Sequence, residues 1–372
     1  MRARARVDLA AIERNCERLA HAVAPARLCA VVKADGYGHG AAPAARAAQA
    51  GGADWLAVAT AQEALDLRAA GIAGPLLVMG ALSAGELTDA LRARADVVAW
   101  RERFVAAVAG HPQGDGAGVH VKLDTGMGRL GTRDPAEATR TAEAVAAAPR
   151  LRLVGAMTHF ATADDDPGFA REQLARFTRW ADGLRAAHDD LLLHAANSAA
   201  ALAIPESHLD MARCGIAAYG MDPFGADPAH HGLEPALELR SYVAEVKPVG
   251  AGESVGYGRR FVAAAPTWIG TVPVGYGDGV RRALTNDCDV LVGGRRVPLV
   301  GTVSMDNITI DLGPDPAPRG AEAVLIGTQG HERVLAEEWA RRLGTINYEI
   351  TCAISSRVPR DYHRSGAAEA AP

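Results

Sequence analysis

Short apolar runs alternate with longer amphipathic segments through the first two thirds of the chain. The apolar runs predict buried strands, and eight of them occur, at residues 28–32, 55–59, 76–79, 97–100, 119–123, 153–157, 191–194 and 209–213. Alanine-rich segments with apolar residues at helical spacing lie between them, for example residues 61–70, 135–148 and 168–188. Eight βα units in series predict a parallel (β/α)8 barrel of the TIM type.

The last third has a different pattern, in which apolar and polar residues alternate and tight turns intervene. The alternation occurs at residues 239–249, 268–274, 290–298 and 307–310. The predicted fold class is therefore α/β, with an N-terminal barrel over residues 8–234 and a C-terminal mainly β domain over residues 235–372. Residues 1–7 are candidates for pairing with the β domain. The small-residue tail, 365–372, is expected to be disordered.

Composition narrows the class of partner. The chain has 372 residues, 49% of them hydrophobic, which is enough for both domains. A net charge of -5, with both signs interspersed, argues against a nucleic-acid or membrane partner. No apolar run is long enough to cross a bilayer, and Glu13 and Arg14 interrupt the first apolar stretch before it could form a signal sequence. We expect a cytoplasmic enzyme that binds small molecules.

The five cysteines are scattered, odd in number and without a Cys-x-x-Cys pair. This spacing indicates neither a disulfide framework nor a zinc site, so no metal is predicted, and a reducing compartment is expected.

Lys33 ends the first apolar run and opens the glycine-rich turn Ala34-Asp35-Gly36-Tyr37-Gly38. An ammonium in a less polar site becomes reactive and can form an imine with an aldehyde cofactor such as pyridoxal phosphate. Glycines in the turn would let the backbone approach such a ligand closely. On Lys33 alone, an edge-strand lysine that points to water is an equally good interpretation.

Other polar motifs also follow predicted strands. They are Lys122-Leu123-Asp124-Thr125-Gly126, Thr158-His159-Phe160, Ala196-Asn197-Ser198 and Arg213-Cys214-Gly215-Ile216. In a parallel barrel the active site lies beyond the carboxyl ends of the strands. The positions of these motifs therefore predict a site at that end.

Taken in order, these motifs resemble those of the alanine racemases, which are fold-type III pyridoxal-phosphate enzymes. The likeness continues through Val255-Gly256-Tyr257-Gly258, Val274-Gly275-Tyr276-Gly277, Ser304-Met305-Asp306 and Ile346-Asn347-Tyr348-Glu349, almost to the end of the chain. The resemblance implies a homodimer that interconverts L-alanine and D-alanine through an external aldimine with pyridoxal 5'-phosphate. It also implies that D-alanine is supplied for peptidoglycan. Ser304 departs from many relatives, which have cysteine there.

The resemblance assigns two bases. Lys33 carries the cofactor and is one base, and Tyr257 of the partner subunit is the other, since one group cannot readily reach both faces of a planar carbanion. A tyrosine is a poor base at its ordinary pKa of about 10, and His159, with Arg213 behind it, resembles the residues that tune it. The plainer interpretations are a turn aromatic for Tyr257 and a satisfied core histidine for His159.

Arg213 bears most directly on reaction type. An arginine stays charged and only donates hydrogen bonds, so facing the pyridine nitrogen it favours the unprotonated ring and weakens the electron sink. This would suppress transamination, whereas related decarboxylases place a carboxylate there. The alternative for Arg213 is a buried structural ion pair.

The remaining assignments also come from the resemblance. Cofactor binding is assigned to Lys33, Tyr37, Asn197, Ser198, Arg213, Gly215, Ile216 and Tyr348, although Ser198 could simply begin a helix after Asn197. Substrate binding is assigned to Arg129, which steers the carboxylate, and to Tyr276, Met305 and Asp306 at the entrance, with Met305 from the partner subunit. Lys122 resembles the family's often carbamylated lysine, and a plain surface lysine is its alternative.

Three other functions remain open at this point. A broader-specificity amino-acid racemase would use the same scaffold. A related barrel decarboxylase is disfavoured by Arg213, and a non-catalytic pyridoxal-phosphate carrier by Tyr257 and the β domain.

Overall fold

The computed structural model describes residues 2–365, which form two compact units. The barrel unit comprises residues 12–218, and the β unit comprises residues 2–11 together with 219–365. Apart from Ser365, the tail expected to be disordered lies outside the described residues.

Strands and helices alternate through the first part of the chain. The strands are β1 (Ala3–Asp8), β2 (Arg27–Val31), β3 (Trp55–Val58), β4 (Leu76–Val78), β5 (Asp96–Ala99), β6 (Ala117–Lys122), β7 (Leu151–Met157), β8 (Leu192–His194) and β9 (Met211–Cys214). The helices are α1 (Leu9–Val23), the single turn α2 (Lys33–Tyr37), α3 (Ala41–Ala50), α4 (Ala61–Ala69), α5 (Ala84–Arg92), α6 (Glu102–Gly110), α7 (Pro135–Ala146), α8 (Pro167–Arg185) and α9 (Ser198–Ala203).

Strands β2 to β9 form one parallel sheet in the order β8-β7-β6-β5-β4-β3-β2-β9. Backbone hydrogen bonds from Asp210 N to Leu193 O and from Arg213 N to Ala196 O, both 3.0 Å, join the two ends. The predicted TIM-type barrel is therefore confirmed. The strands of a parallel barrel are buried on both faces, which explains why they are continuous apolar runs.

Local sequence signals fix where several barrel helices begin. Thr60 with Glu63 and Ser83 with Glu86 form reciprocal capping boxes at the starts of α4 and α5. Asp134 caps α7, whose first residue is a proline. These caps satisfy amide groups that would otherwise lack partners at the helix ends.

The β unit contains the remaining elements. They are β10 (Leu237–Tyr242), β11 (Glu245–Val249), β12 (Ser254–Val255), β13 (Phe261–Val262), β14 (Thr267–Val272), β15 (Asp289–Val292), β16 (Arg295–Pro298), β17 (Ile308–Gly313), β18 (Glu322–Gln329), β19 (Glu332–Val334), α10 (Ala336–Leu343), α11 (Asn347–Cys352) and β20 (Arg360–His363).

The main sheet of the β unit has the order β16-β15-β18-β10-β1-β20, with β19 beside β18. The first strand of the chain, β1, is antiparallel to β10 and parallel to β20. Strands β11, β14 and β17 form a second sheet, and β12 pairs with β13. The mainly β character predicted for this part of the chain is confirmed.

The alternating segment at residues 239–249 contains two strands that belong to different sheets. The chain leaves the main sheet after β10 and enters the three-stranded sheet at β11. Val243 N donates to Ala321 O and Ala244 N to Thr271 O, both at 2.8 Å, so adjacent residues pair with different strands. Alternation continues across this change of sheet and therefore does not reveal it. Within residues 2–365 no helix is long and apolar enough to cross a membrane.

Candidate active site

Lys33 follows β2 at the carboxyl end of the barrel strands and begins an unusual turn. Ala34, Asp35 and Tyr37 all have positive φ angles of 52 to 53°, as does Gly36 at 61°. Non-glycine residues rarely adopt this left-handed conformation, and it persists only where surrounding contacts impose it.

Those contacts come from Glu63 and Asp35. Glu63 accepts hydrogen bonds from the amide of Ala34 at 2.7 Å and from the amide of Ala59 at 2.9 Å, so it ties the turn to the loop after β3. The carboxylate of Asp35 accepts from the amide of Ala41 at 2.9 Å and fixes the start of α3. The turn after Lys33 is therefore held at its start by Glu63, which contacts Ala34, and at its end by the hydrogen bond between Asp35 and Ala41.

Tyr37, Ser198 and Gly215 meet in one small region of the barrel. Ser198 Oγ accepts hydrogen bonds from the amides of Gly215 at 2.9 Å and Ala217 at 3.4 Å. A β-carbon on residue 215 would lie 2.3 Å from the phenol oxygen of Tyr37, so a larger residue there would require the Tyr37 ring to move. Asn197 caps α9 through the amide of Ala200 at 3.0 Å. The hydroxyls of Tyr37 and Ser198 thus lie close to the backbone at Gly215, where the cofactor phosphate is expected to bind. Ile216 is the next residue in the chain.

Arg213 on β9 is buried, with 3% of its surface exposed. Its Nη2 donates to the carbonyl oxygens of Thr158 at 2.8 Å and Ala195 at 3.0 Å, and its Nη1 donates to His194 Nδ1 at 2.9 Å. These partners are neutral groups, unlike those of a structural ion pair. Burial lowers the pKa of Arg213 to about 10, which still leaves it charged at neutral pH.

His159 is coupled to Arg213. Nη2 of Arg213 lies 3.4 Å from Nδ1 of His159. Nη2 makes shorter hydrogen bonds to Thr158 O and Ala195 O, so this longer contact shares one of its two hydrogens. Because arginine only donates, Nδ1 faces it as an acceptor, which favours the imidazole proton on Nε2. Burial lowers the pKa of His159 well below its ordinary value, and the charges of Arg213 and Lys122 lower it further. The neutral imidazole therefore presents an N–H on the side away from Arg213.

Lys122 is the last residue of β6 and is only 5% exposed, which contradicts the alternative of a plain surface lysine. Burial lowers its pKa to about 8, with further lowering by the cations Arg213 and Arg129. An amine with this pKa is partly neutral at physiological pH.

The loop that bears Arg129 is organised by Asp124. Its carboxylate accepts hydrogen bonds from the amides of Gly126, Met127 and Gly128 at 2.8 to 3.1 Å. Arg133 donates to it at 3.1 Å. Burial alone would raise the pKa of Asp124, but these hydrogen bonds outweigh burial and hold it below the ordinary value. Arg129 itself is exposed.

The other predicted site residues lie in the β unit. Tyr257 is in a short turn between Gly256 and Gly258, and its side chain is 72% exposed. Tyr276 donates its amide to Ser304 O at 3.0 Å, which places it beside Met305.

Asp306 pairs with Arg357 at 2.6 Å, and the hydrogen bond from this guanidinium lowers the pKa of Asp306. Tyr348 is half-buried on α11. The structure thus gathers Lys33, Tyr37, Lys122, His159, Ser198 and Arg213 in the barrel unit, and Tyr276, Met305 and Asp306 in the β unit.

Two histidines behind Arg213 were missed by the sequence-based predictions. His194 and His120 are fully buried in the barrel and contact each other. Their only sequence signal is a polar residue inside an otherwise apolar strand. Within residues 2–365, no group of three or more His, Cys, Asp or Glu side chains could hold a metal ion.

Comparison with known families accounts for nearly the whole chain. The family described as alanine racemase, N-terminal domain, matches residues 7–223. The family described as alanine racemase, C-terminal domain, matches residues 236–362. The chain belongs to the alanine racemase family. The members of this family are pyridoxal-phosphate-dependent isomerases.

Individual alanine racemases are similar to this chain over nearly their full length. The chain is 43% identical to the alanine racemase of Symbiobacterium thermophilum over 364 residues, which is 96% of each chain. The crystal structure of alanine racemase from D-cycloserine-producing Streptomyces lavendulae superposes with a TM-score of 0.92 at 39% identity, covering 98% of both chains. The Bacillus anthracis alanine racemase with bound L-Ala-P gives 0.89 at 37% identity, covering 98% of this chain and 96% of that one.

Proposed function

We propose that this chain is a pyridoxal-phosphate-dependent alanine racemase that interconverts L-alanine and D-alanine. The observation that carries the proposal is the buried, charged Arg213, held by carbonyls and imidazoles in a barrel of the alanine racemase family. Where a decarboxylase would have a carboxylate, this chain has a group that can only donate.

The donor set fits the cofactor. A phosphate group needs several hydrogen-bond donors, and the hydroxyls of Tyr37 and Ser198 with the amide of Ile216 would supply them. The amide of Gly215 donates to Ser198 Oγ and so orients that hydroxyl toward the same region. The absence of a β-carbon at residue 215 leaves room between this backbone and Tyr37. Arg213 would donate to the ring nitrogen, and Lys33 would carry the aldehyde carbon. Tyr348 is assigned to the same phosphate by resemblance.

When bound, pyridoxal phosphate supplies an electron-withdrawing group that makes the Cα proton of alanine removable. Lys33 Nζ takes or returns that proton on one face, and the phenol oxygen of Tyr257 of the partner subunit does so on the other. His159 is neutral with its proton on Nε2, so it can donate to that phenol oxygen and favour its ionised form. Arg213 keeps the His159 tautomer fixed.

The shared site makes the enzyme a homodimer. Tyr257 and Met305 are exposed within their own unit, which suits side chains that complete the site of a second subunit. Arg129 steers the alanine carboxylate, while Tyr276, Met305 and Asp306 line the entrance. We further propose a cytoplasmic enzyme whose D-alanine is used for peptidoglycan, so expression should restore growth of a bacterium that requires added D-alanine.

Lys122 is proposed to be carbamylated. Its lowered pKa leaves neutral amine to take up carbon dioxide, and the resulting anion would replace repulsion of Arg129 with attraction. Protein equilibrated with 13C-bicarbonate should give a carbamate signal by 13C NMR that is absent from Lys122→Arg and declines as the pH falls below about 8. A spectrum identical in both proteins would exclude the modification.

Substrate breadth is tested with L-alanine, L-serine and L-lysine. Purified protein is incubated with each in deuterated buffer, and optical rotation and Cα exchange are followed. Loss of rotation with alanine alone supports the proposal, and comparable loss with all three indicates a broader amino-acid racemase. Release of carbon dioxide would indicate a decarboxylase and overturn the proposal.

A further inference from the structure

A line of buried polar side chains crosses the barrel behind Arg213. His194 Nδ1 lies 2.9 Å from Arg213 Nη1, and His194 Nε2 lies 2.9 Å from His120 Nδ1. His120 Nε2 lies 3.4 Å from the carboxylate of Asp96, at the start of β5. We call His194 and His120 the histidine bridge. It leads from the site end of one barrel strand to the beginning of another.

The chemistry of the groups fixes the direction of every hydrogen bond in the bridge. Arg213 only donates, so His194 Nδ1 accepts and the proton of this imidazole lies on Nε2. That N–H donates to His120 Nδ1, which places the proton of His120 on Nε2, facing Asp96. Each donor therefore points away from Arg213 and toward a carboxylate. Burial and the charge of Arg213 lower the pKa of His194 well below its ordinary value, in agreement with a neutral His194.

The barrel backbone is adapted to this arrangement. Residue 155 on β7, which pairs with His120, is a glycine, and a β-carbon there would lie 2.5 Å from His120 Nδ1. A β-carbon on Gly118 would lie 2.1 Å from the Asp96 carboxylate. The register between β6 and β7 also shifts between Val119 and His120. Gly118 thus leaves room for the Asp96 carboxylate. Gly155 leaves room for His120 and also for the carbonyl oxygen of Leu192, which a β-carbon would approach to 2.8 Å.

We propose that His194, His120 and Asp96 are positioning residues that hold Arg213 as a donor toward the cofactor ring nitrogen. The inference rests on the proposed function. A buried guanidinium can rotate unless each of its N–H groups has a hydrogen-bond partner. The bridge supplies a partner, His194 Nδ1, for Nη1 of Arg213. It also links the cation to a carboxylate through two polarisable rings, because hydrogen-bonded groups in a low-dielectric interior polarise one another. Asp96 itself is too remote to neutralise Arg213 at the ring.

The bridge should therefore affect the choice between racemisation and transamination. If Arg213 is poorly held, the ring nitrogen can be protonated, and the proton removed from Cα can return to the cofactor carbon instead. The net exchange then converts alanine and the aldehyde cofactor into pyruvate and the aminomethyl form of the cofactor. Pyruvate released per racemisation measures this directly.

The first test needs no cofactor and no measurement of activity. In the full-length protein labelled with 15N-histidine, both His194 and His120 should have an unprotonated Nδ1 and a protonated Nε2 at neutral pH. His120→Phe and a His194 variant assign the signals by their loss. A proton on Nδ1 of either ring would overturn the proposal. This result is independent of whether the protein racemises alanine.

The second test uses Asp96→Asn, which keeps the shape but removes the charge, and His120→Phe, which cuts the bridge and keeps a ring against Trp55. Each should lower kcat about tenfold, roughly the effect of losing one hydrogen bond to a charged group, with KM nearly unchanged. Pyruvate per racemisation should rise by a similar factor.

Arg152→Gln is the matched control, because Arg152 is exposed and lies 3.5 Å from Asp96 outside the bridge. It should behave like the unmodified protein. If both bridge variants bind cofactor fully and match this control in kcat and pyruvate ratio, the proposal is wrong. If the unmodified protein does not racemise alanine, the proposed function fails, and the NMR result still decides the bridge.

Discussion

The phenol oxygen of Tyr37 lies 2.3 Å from the point where a β-carbon on Gly215 would stand. Gly215→Ala should therefore displace Tyr37 from the proposed phosphate site and disturb the amide that donates to Ser198. We expect the Kd of the cofactor-free protein for pyridoxal phosphate to rise at least tenfold, equivalent to about 1.4 kcal/mol. Titration followed by the cofactor's absorbance measures it.

Gly183 provides the control for that substitution. It lies on the exposed face of α8, and a β-carbon there meets nothing within 4 Å. Gly183→Ala should leave cofactor affinity unchanged and raise the free energy of unfolding by about 0.5–1 kcal/mol, because alanine loses less backbone entropy in a helix. Equal affinities for the two variants would mean that the contact with Tyr37 is unimportant.

Asp124 organises the loop that presents Arg129, so Asp124→Asn should weaken alanine binding without affecting cofactor binding. An amide side chain cannot accept from three loop amides as strongly as a carboxylate does. We expect KM for alanine to rise about tenfold with kcat changed much less. Steady-state kinetics with both enantiomers measure this, and an unchanged KM would dissociate Asp124 from substrate binding.

The same carboxylate should make stability depend on pH. The pKa of Asp124 is lower in the folded protein, so its stabilisation is present above the unfolded pKa of about 3.9 and is lost as the pH falls through the folded value. The unfolding free energy of the unmodified protein should exceed that of Asp124→Asn at pH 6 to 8, and the difference should shrink below about pH 4. A difference that stays constant on acidification would argue against this role.

A shared active site predicts complementation between two inactive variants. Lys33→Ala and Tyr257→Phe each remove one base. In a hybrid dimer one site lacks both bases and the other has both. Random mixing makes half of the dimers hybrid, so about one quarter of the original activity should return. A site built within one subunit would give no activity on mixing.

The barrel was predictable from sequence because its strands are short apolar runs separated by capped helices. The histidine bridge was not. Both faces of a parallel strand are buried, so the alternation that would show which way His120 and His194 point is absent. The left-handed turn after Lys33 was equally hidden, since Ala34 and Tyr37 have no preference for positive φ. Glu63, on a different strand–helix unit, imposes it.

Site residues were predictable from the sequence where they belong to short motifs that directly follow a strand. Motifs at strand ends located Lys33, His159 and Arg213, which the barrel brings together. Burial of Lys122 depends on the loop's return to residue 132, where Asp124 N donates to Thr132 O at 2.8 Å. Such contacts are set by packing and have no sequence signature.

The central claim is that Lys33 and Tyr257 act on opposite faces of the same substrate. It is tested by exchange of the Cα hydrogen in deuterated water, with L-alanine and D-alanine supplied separately to the unmodified enzyme and to Tyr257→Phe. The unmodified enzyme should racemise both enantiomers and incorporate deuterium. Tyr257→Phe should keep its bound cofactor and exchange one enantiomer with retained configuration, while leaving the other inert. Racemisation of both enantiomers by Tyr257→Phe at an unchanged rate would contradict the two-base account.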